Sequence, residues 1–554
     1  MTTHRAAGSA ADDARGAARD GADPRRPVVL GPGGVTAGDV LAVARGGAPV
    51  ELSGDALARM SATRVRIEAL AAEPRPVYGV STGFGALAVR HISPELRVQL
   101  QRSLIRSHAA GMGPAVETEV VRALLFLRLR TLASGRTGVR PVLAETMAAM
   151  LNAGITPVVR EYGSLGCSGD LAPLAHCALA LTGEGEATGP DGTVRPASEL
   201  LAEAGIAPVE LREKEGLALI NGTDGMLGML VLACADLARL LTTADIAAAM
   251  SLQALLGTDR VLHPALQALR PHPGQAESAA NMRALLAGST LTGHHQSGFA
   301  GYPGEPRVQD AYSLRCAPQV AGAVRDTLAH ARAVADRELA SAVDNPVVLP
   351  DGRVESNGNF HGAPVGYALD FLAIAVADLG SIAERRTDRL LDAHRSHGLP
   401  PFLAEDPGVD SGLMIAQYTQ AALVSELKRL AAPASVDSIP SSAMQEDHVS
   451  MGWSAARKLR TALDHLGRIL AVELVAAARG TELRLAALAT AGRDGALADN
   501  LAPGTAAALA ALRGAGVHGP GPDRYLAPDL AAAESLVASG RLVEVVRAVV
   551  GPLA

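Results

Sequence analysis

The chain has 554 residues, 48% of them hydrophobic, enough for roughly two to four ordinary domains or one large helical architecture. Aromatics make up only 3%, so Ala and Leu fill most of the core, which favours close-packed helices over an aromatic-rich sandwich. The net charge of −7, the lack of any dense Lys/Arg run and four scattered cysteines (Cys167, Cys177, Cys234, Cys316) without a C-x-x-C pair argue against nucleic-acid partners, anionic-membrane partners, a disulfide scaffold and a zinc ribbon; a reducing cytoplasm fits best.

In chain order, the first 27 residues (MTTHRAAGSAADDARGAARDGADPRRP) mix acids with arginines and lack an apolar h-region, so they read as a disordered tail on a soluble protein. No stretch reaches the ~18 consecutive apolar residues of a bilayer span; the longest, Gly225–Ala235, stops at Asp236. Strand signals are few and short, at Pro157-Val158-Val159 and Val347-Val348-Leu349. Asp170 is placed to cap a helix opening at Leu171-Ala172-Pro173, where proline is tolerated because a first-turn amide is not needed. Ala-rich helices are expected over 226–258 and 320–343. Leu369, Leu372, Val376, Leu379 and Ile382 recur at spacings of three and four, as do Leu459, Leu463, Leu466, Leu470 and Leu474. Each set is the stripe of a helix packed against other helices.

Six polar, glycine-rich joints interrupt this pattern: YGVSTGFG (78–85), GSLGCSGDLAPLAH (163–176), NGTDG (221–225), RVQDAYSLRC (307–316), SNGNFHG (356–362) and SSAMQEDHVSM (441–451). Chemistry tends to sit on loops held by a rigid scaffold, and joints this dispersed suggest one composite site that the fold assembles. The second joint admits three readings. A helix-entry turn accounts for Asp170 and Pro173 but not for Gly163, Gly166 and Gly169. A Cys167 or Ser168 nucleophile lacks the G-x-S-x-G frame. Backbone cyclisation uses every residue: the Gly169 amide nitrogen attacks the Cys167 carbonyl carbon and closes a five-membered ring around Ser168. One water lost from the ring and one from the Ser168 side chain leave an exocyclic methylidene, a strong electrophile. The attacking residue must be Gly because a Cβ would obstruct the approach. Ser supplies a leaving β-hydroxyl, Cys contributes only its carbonyl, and Gly163 and Gly166 let the loop compress.

This stretch resembles the electrophile-forming loop of the aromatic amino acid ammonia-lyases, which usually reads Ala-Ser-Gly. The resemblance runs from about residue 28 to about 540, with the six joints in the family's order. It implies a mainly α fold, an elongated multi-helix bundle of the ammonia-lyase and fumarase-like type. In that fold a loop-rich N-terminal active-site domain (28–220) carries the electrophile, followed by a central long-helix bundle (221–485) and a C-terminal helical segment (486–554). It implies 4-methylidene-imidazol-5-one formed autocatalytically from Cys167-Ser168-Gly169, no external cofactor, no metal, and a homotetramer with shared active sites. By the same resemblance Tyr78 removes the substrate β-proton, which requires surroundings that lower a phenol pKa of ~10. Tyr312, a further catalytic residue, lines the site with Gln309, and Arg315 grips the substrate carboxylate with its planar fork of donors. Asn221 holds the electrophile ring or the carboxylate, and Phe360 packs near the ring.

Two positions bear on the substrate. Ser107-His108, in LQRSLIRSHAAGMG, stands where phenylalanine- and tyrosine-using relatives carry Phe-Leu or His-Leu, and the resemblance makes Glu446, in SSAMQEDHVSM, a catalytic carboxylate near the imidazole ring, suited either to holding it or to moving a proton. Both resemble the histidine-using members of actinomycete type, as do MGWSAARKLRTALDHL and IAERRTDRLLDAHRSHGLPPFL. An imidazole partner suits an imidazole substrate, since a buried polar edge left unpaired costs ~1–3 kcal/mol. The bland alternatives are a satisfied core histidine and a helix cap. The implied reaction is L-histidine to trans-urocanate and ammonia, the first step of histidine degradation. A tyrosine- or phenylalanine-using lyase or aminomutase is the alternative, and an inactive helical scaffold is a remote one. Ser81 stands where relatives often carry Asn or Thr. The segment SGFAGYPGE (297–305) lengthens the approach to the Tyr312 joint. His294-His295 lack the H-E-x-x-H frame of a metal pair.

Overall fold

Helix formation is decided locally and early along the chain of the computed structural model, which describes residues 26–73, 76–292, 308–490 and 500–554. Residues 1–25 of the tail, His294-His295 and the segment 297–305 lie outside the described residues. Thr36 closes a capping box with Asp39 to open the helix Ala37–Ala44, and Ser53 accepts the Ala56 amide to open Gly54–Ala72. The described residues fall into two compact units, each assembled from three chain segments. This grouping cuts across the linear segments 28–220, 221–485 and 486–554, because long helices carry the chain out of one unit and later back.

The first unit comprises Met1–Leu232, Ala333–Tyr367 and Ala434–Ala456. Its middle is the helix Thr118–Ala133, buried without interruption from Val120 to Ala133 and so surrounded by protein on every side. Arg128 lies in that helix, 1% exposed. Its Nη1 donates to the carbonyls of Ala218 and Asn221, and its Nη2 to that of Val343, each at 3.0 Å, while Asp224 pairs with it at 2.7 Å. One buried guanidinium therefore ties the NGTDG turn to the core helix. Strands are marginal. Val28–Leu30 runs parallel to Val50–Leu52, with Val28 opposite Val50, and Met112–Ala115 pairs antiparallel with Arg160–Tyr162. Glu186–Thr188 sits between Thr156–Pro157 and Val194–Pro196, and Val347–Val348 pairs with Val354–Glu355.

Asp170 occupies the N-cap position of the helix Leu171–Leu181, yet its side chain makes no cap bond there. Its carboxylate instead accepts the amides of Gly225 and Met226, both at 2.9 Å, in the first turn of the helix Asp224–Ala254. Orphan amides and the positive end of a helix attract a carboxylate, so the residue serves a second helix rather than its own. Burial pushes its pKa up to about 7, against those two hydrogen bonds.

The second unit comprises Ala233–Arg332, Ala368–Pro433 and Arg457–Ala554. Both leucine stripes lie in its core, on the helices Ala363–Leu391 and Gly452–Thr490: Leu369, Leu372, Val376, Leu459, Leu466, Leu470 and Leu474 are fully buried, and Ile382 is half-buried. Gly380 lets the helix Ala363–Leu391 approach two neighbours closely, since a Cβ there would meet Leu427 of the helix Met414–Leu430 at 2.5 Å and Ile469 of Gly452–Thr490 at 3.2 Å. The Ala-rich helices run Asp224–Ala254 and Ala317–Leu339, each slightly earlier than the composition suggests. By length and apolar composition Asp224–Ala254 and Ala363–Leu391 could each cross a membrane, but 78% and 56% of their most apolar windows are buried in protein. Among the leucines sits one ion pair: Arg386 bonds Glu473 through Nε (2.5 Å) and Nη2 (2.9 Å), and Ser251 donates to the same carboxylate at 2.8 Å.

Glu473→Ala strands a guanidinium that is 2% exposed, so a loss of about 3–5 kcal/mol is expected. Urea denaturation checks this, and an unchanged midpoint would contradict it. For Asp170 the folded protein keeps a proton to about pH 7, whereas the unfolded chain loses it near the ordinary carboxylate value of ~3.9. Its contribution to stability is thus present below pH ~4 and disappears as pH rises through 7. Asp170→Asn keeps an acceptor oxygen with no proton to lose, so its stability should vary less between pH 4 and 7 than the parent's; equal slopes would refute the assignment.

Candidate active site

The segment Gly163–Asp170 joins the strand Arg160–Tyr162 to the helix Leu171–Leu181 and is held at three points. The Met451 amide donates to the Leu165 carbonyl at 3.0 Å. Ser450 Oγ donates to the Gly166 carbonyl at 3.3 Å. The Asp170 amide donates to the Gly222 carbonyl at 2.7 Å, and Gly169 and Gly222 form a parallel bridge. Gly169 has φ +82°, and a Cβ there would overlap the Gly222 carbonyl group. That position accepts glycine alone on both counts. Ser164 Oγ, 3.2 Å from Asp170 Oδ1, accepts the Gly166 amide from inside the loop.

Cys167 and Ser168, by contrast, are only half-buried. Burial and the adjacent Glu446 carboxylate, which also hydrogen-bonds the thiol, push the Cys167 pKa up to about 12. The thiol stays protonated at neutral pH, which weighs against Cys167 as a nucleophile.

Glu446 organises this side of the first unit. Its backbone exchanges both hydrogen bonds with Ser441, and Ser441 Oγ donates to Glu446 Oε2 at 2.8 Å. Between them Ser442, Ala443 and Met444 all adopt positive φ (51°, 50° and 70°), an uncommon run for residues with a Cβ. The Ala86 amide donates to Ser442 Oγ at 3.3 Å, linking this loop to the one that carries Tyr78. The negative charge of Glu446 acts on Tyr78 and His108 as well as on Cys167. Four residues that the sequence places far apart therefore share one electrostatic environment.

Tyr78 sits half-buried in a turn that Ser81 closes by accepting the Val77 amide at 3.0 Å, a task for which a hydroxyl is sufficient. The surroundings do not lower its pKa. Burial raises it, Glu446 and Asp344 raise it further, and only a hydrogen bond with the Gly85 backbone opposes them. The phenol is not acidified within this chain because it is buried and the charges that act on it are carboxylates.

His108 ends the helix Arg97–His108. Its Nδ1 lies 2.9 Å from the Leu104 carbonyl, which can only accept, so Nδ1 carries the hydrogen and Nε2 is the free acceptor. Burial holds its pKa below the ordinary value, favouring that neutral form. It is neither a packed core histidine nor fully exposed. Asn221 is 2% exposed; its Nδ2 donates to the Asn345 carbonyl at 2.8 Å, and its buried Oδ1 has no partner among the described residues. Phe360 is half-buried on the loop that follows Val354–Glu355.

Gln309, Tyr312 and Arg315 belong to the second unit and are described within it. Gln309 is exposed, and Tyr312 is 71% exposed on the short helix Tyr312–Arg315. The Arg315 guanidinium stacks on the Tyr312 ring at 4.5 Å, and its Nε is buried without a hydrogen-bond partner among the described residues. Arg386 Nη1 reaches the Ser313 carbonyl at 3.4 Å, so the ion pair with Glu473 also supports this turn. The residues that hold these loops (Arg128, Ser164, Ser450, Arg386) escaped the sequence reading. The one available signal was an arginine inside the apolar run FLRLRTLA.

Comparison with known proteins accords with this arrangement. The family model "Aromatic amino acid lyase" matches residues 35–514. The histidine ammonia-lyase of Streptomyces avermitilis is 74% identical over 527 residues, covering 95% of this chain and 99% of that protein. That of Symbiobacterium thermophilum is 50% identical over 520 residues, covering 94% and 98%. Among solved structures, tyrosine aminomutase from Streptomyces globisporus superposes with a TM-score of 0.87 at 40% identity, covering 94% of this chain and 98% of that one. Histidine ammonia-lyase from Trypanosoma cruzi does so with 0.83 at 37%, covering 94% and 95%. The mainly helical fold is thus the lyase fold, and the chain belongs to the aromatic amino acid lyase family.

Proposed function

We propose that the chain deaminates L-histidine to trans-urocanate and ammonia, using an electrophile made from its own Cys167, Ser168 and Gly169. The observation that carries this reading is the lock on Gly169, held at φ +82° with the Gly222 carbonyl filling the place of a Cβ; the charge of Glu446, felt by Cys167, Tyr78 and His108, accords with it. The 74% identity to a protein named for that activity supports it.

The tripeptide fits a 4-methylidene-imidazol-5-one group. Gly169 is locked at positive φ with no room for a Cβ, its neighbours are clamped on both sides, and Asn221 offers a buried acceptor with no partner among the described residues. When formed, that group supplies an electrophilic methylidene carbon that no ordinary side chain offers. The remaining work falls to the chain's own residues. His108, neutral and presenting Nε2, accepts the N–H of the substrate imidazole, and Glu446 holds the ring from the other side. Tyr78 takes the β-proton, and the substrate's ammonium offsets the negative field that otherwise keeps the phenol protonated. Arg315, supported by Tyr312 and lined by Gln309, receives the carboxylate; Phe360 packs near the ring. We further infer a homotetramer with shared active sites, acting in the cytoplasm.

A tyrosine-using aminomutase is the second reading, favoured by the 40% identical structure. It does not account for an imidazole acceptor and a carboxylate in one environment.

Mass spectrometry of the folded protein should find the peptide containing residues 167–169 lighter by two waters, and Ser168→Ala should abolish deamination. Gly169→Ala should retain both waters, because its Cβ would overlap Gly222. Full mass in the parent, or full activity in Ser168→Ala, would remove the mechanism. His108→Leu should lower kcat/KM for L-histidine roughly 10- to 100-fold, followed as urocanate absorbance; unchanged turnover, or preference for L-tyrosine in the parent, would favour the second reading.

A further inference from the structure

A cavity of about 730 Å³ in the first unit is lined by none of the residues assigned above. One wall is Ala71 to Glu73, where the helix Gly54–Ala72 ends, and another is His91 to Arg97, where the helix Arg97–His108 begins. These are the two ends of the segment that carries Tyr78.

Its charges cancel selectively. Arg64 bonds Glu68 at 2.8 Å and Glu213 at 3.4 Å, and Arg140 is held by Glu215 through Nε (2.8 Å) and Nη2 (2.7 Å). Arg97 is 4% exposed and makes no direct ion pair among the described residues, although its charge is felt by Glu95 two residues away. Its Nε donates to the Ile92 carbonyl at 3.2 Å and its Nη1 to the Ala71 carbonyl, which leaves Nη2 without a partner among the described residues. Arg212 and Glu73, both exposed, make no side-chain hydrogen bond or ion pair among the described residues. Among the described residues, two cationic groups and one carboxylate on this cavity are thus without a direct ion pair. A multiply charged anion would meet Glu68, Glu73 and Glu213, and a lone cation would meet four guanidiniums. A ligand carrying one charge of each sign meets neither obstacle, and planar guanidiniums match a carboxylate in particular.

We propose that this cleft is a second, non-catalytic site for a free amino acid or similar zwitterion, with its carboxylate on Arg97 Nη2 and Arg212 and its ammonium on Glu73. Occupancy ties the end of one helix to the start of the next across the Tyr78 segment. The test is calorimetric titration of the full chain with glycine, acetate and methylammonium. Glycine should bind saturably, bind Arg212→Glu roughly tenfold or more weakly, bind Glu73→Gln more weakly, and bind Arg315→Ala as it does the parent. Acetate should bind more weakly than glycine and be indifferent to Glu73→Gln, and methylammonium should give no heat. Arg212→Glu should turn over L-histidine as the parent does, which verifies an intact fold. Absence of glycine binding, glycine binding untouched by Arg212→Glu, or binding lost only in Arg315→Ala would overturn the proposal.

Discussion

The site depends on a single backbone contact, the hydrogen bond from the Asp170 amide to the Gly222 carbonyl at 2.7 Å. It brings two glycine-rich joints side by side, fixes Gly169 at φ +82° and leaves no volume beside its α-carbon. Everything around it serves to hold that contact. Arg128 secures the Gly222 side from within a buried helix, and Asp170 binds the first amides of the helix Asp224–Ala254. Ser450 and Met451 clamp the far side of the loop. A loop so constrained pre-pays the entropy of bringing its own main-chain atoms together, which is what a reaction within the backbone requires.

The electrostatics have one sign. Burial, helped by Glu446, keeps the Cys167 thiol protonated and raises Tyr78, and Glu446 partly offsets the effect of burial on His108. Such a pocket is poorly arranged for an anionic nucleophile and well arranged for a substrate that arrives with an ammonium and an imidazole.

What could be read from the sequence divides along physical lines. Leu459 to Leu474 announce their helix because a 3.6-residue period is local, and all five are buried as that period requires. Gly169 was legible because its constraint is conformational and belongs to the residue itself. Asp170 was legible as a cap position but not as the partner of Gly225 and Met226, which lie 55 and 56 residues away along the chain. The sign of the Tyr78 shift is illegible for the same reason: a pKa records how deeply the fold buries a group and which charges it brings near, and here burial and two carboxylates both raise it. Arg128 was passed over since a cation in an apolar run looks like an interruption until its carbonyl partners are seen.

His108 is fastened to the Leu104 carbonyl of its own helix and Glu446 to Ser441 of its own turn. Glu446 also hydrogen-bonds the Cys167 thiol, whereas His108 makes no side-chain bond to a distant segment among the described residues, unlike Arg128, Asp170 or Arg386. A change at His108 therefore leaves the scaffold intact, in keeping with an architecture that deaminases and mutases share.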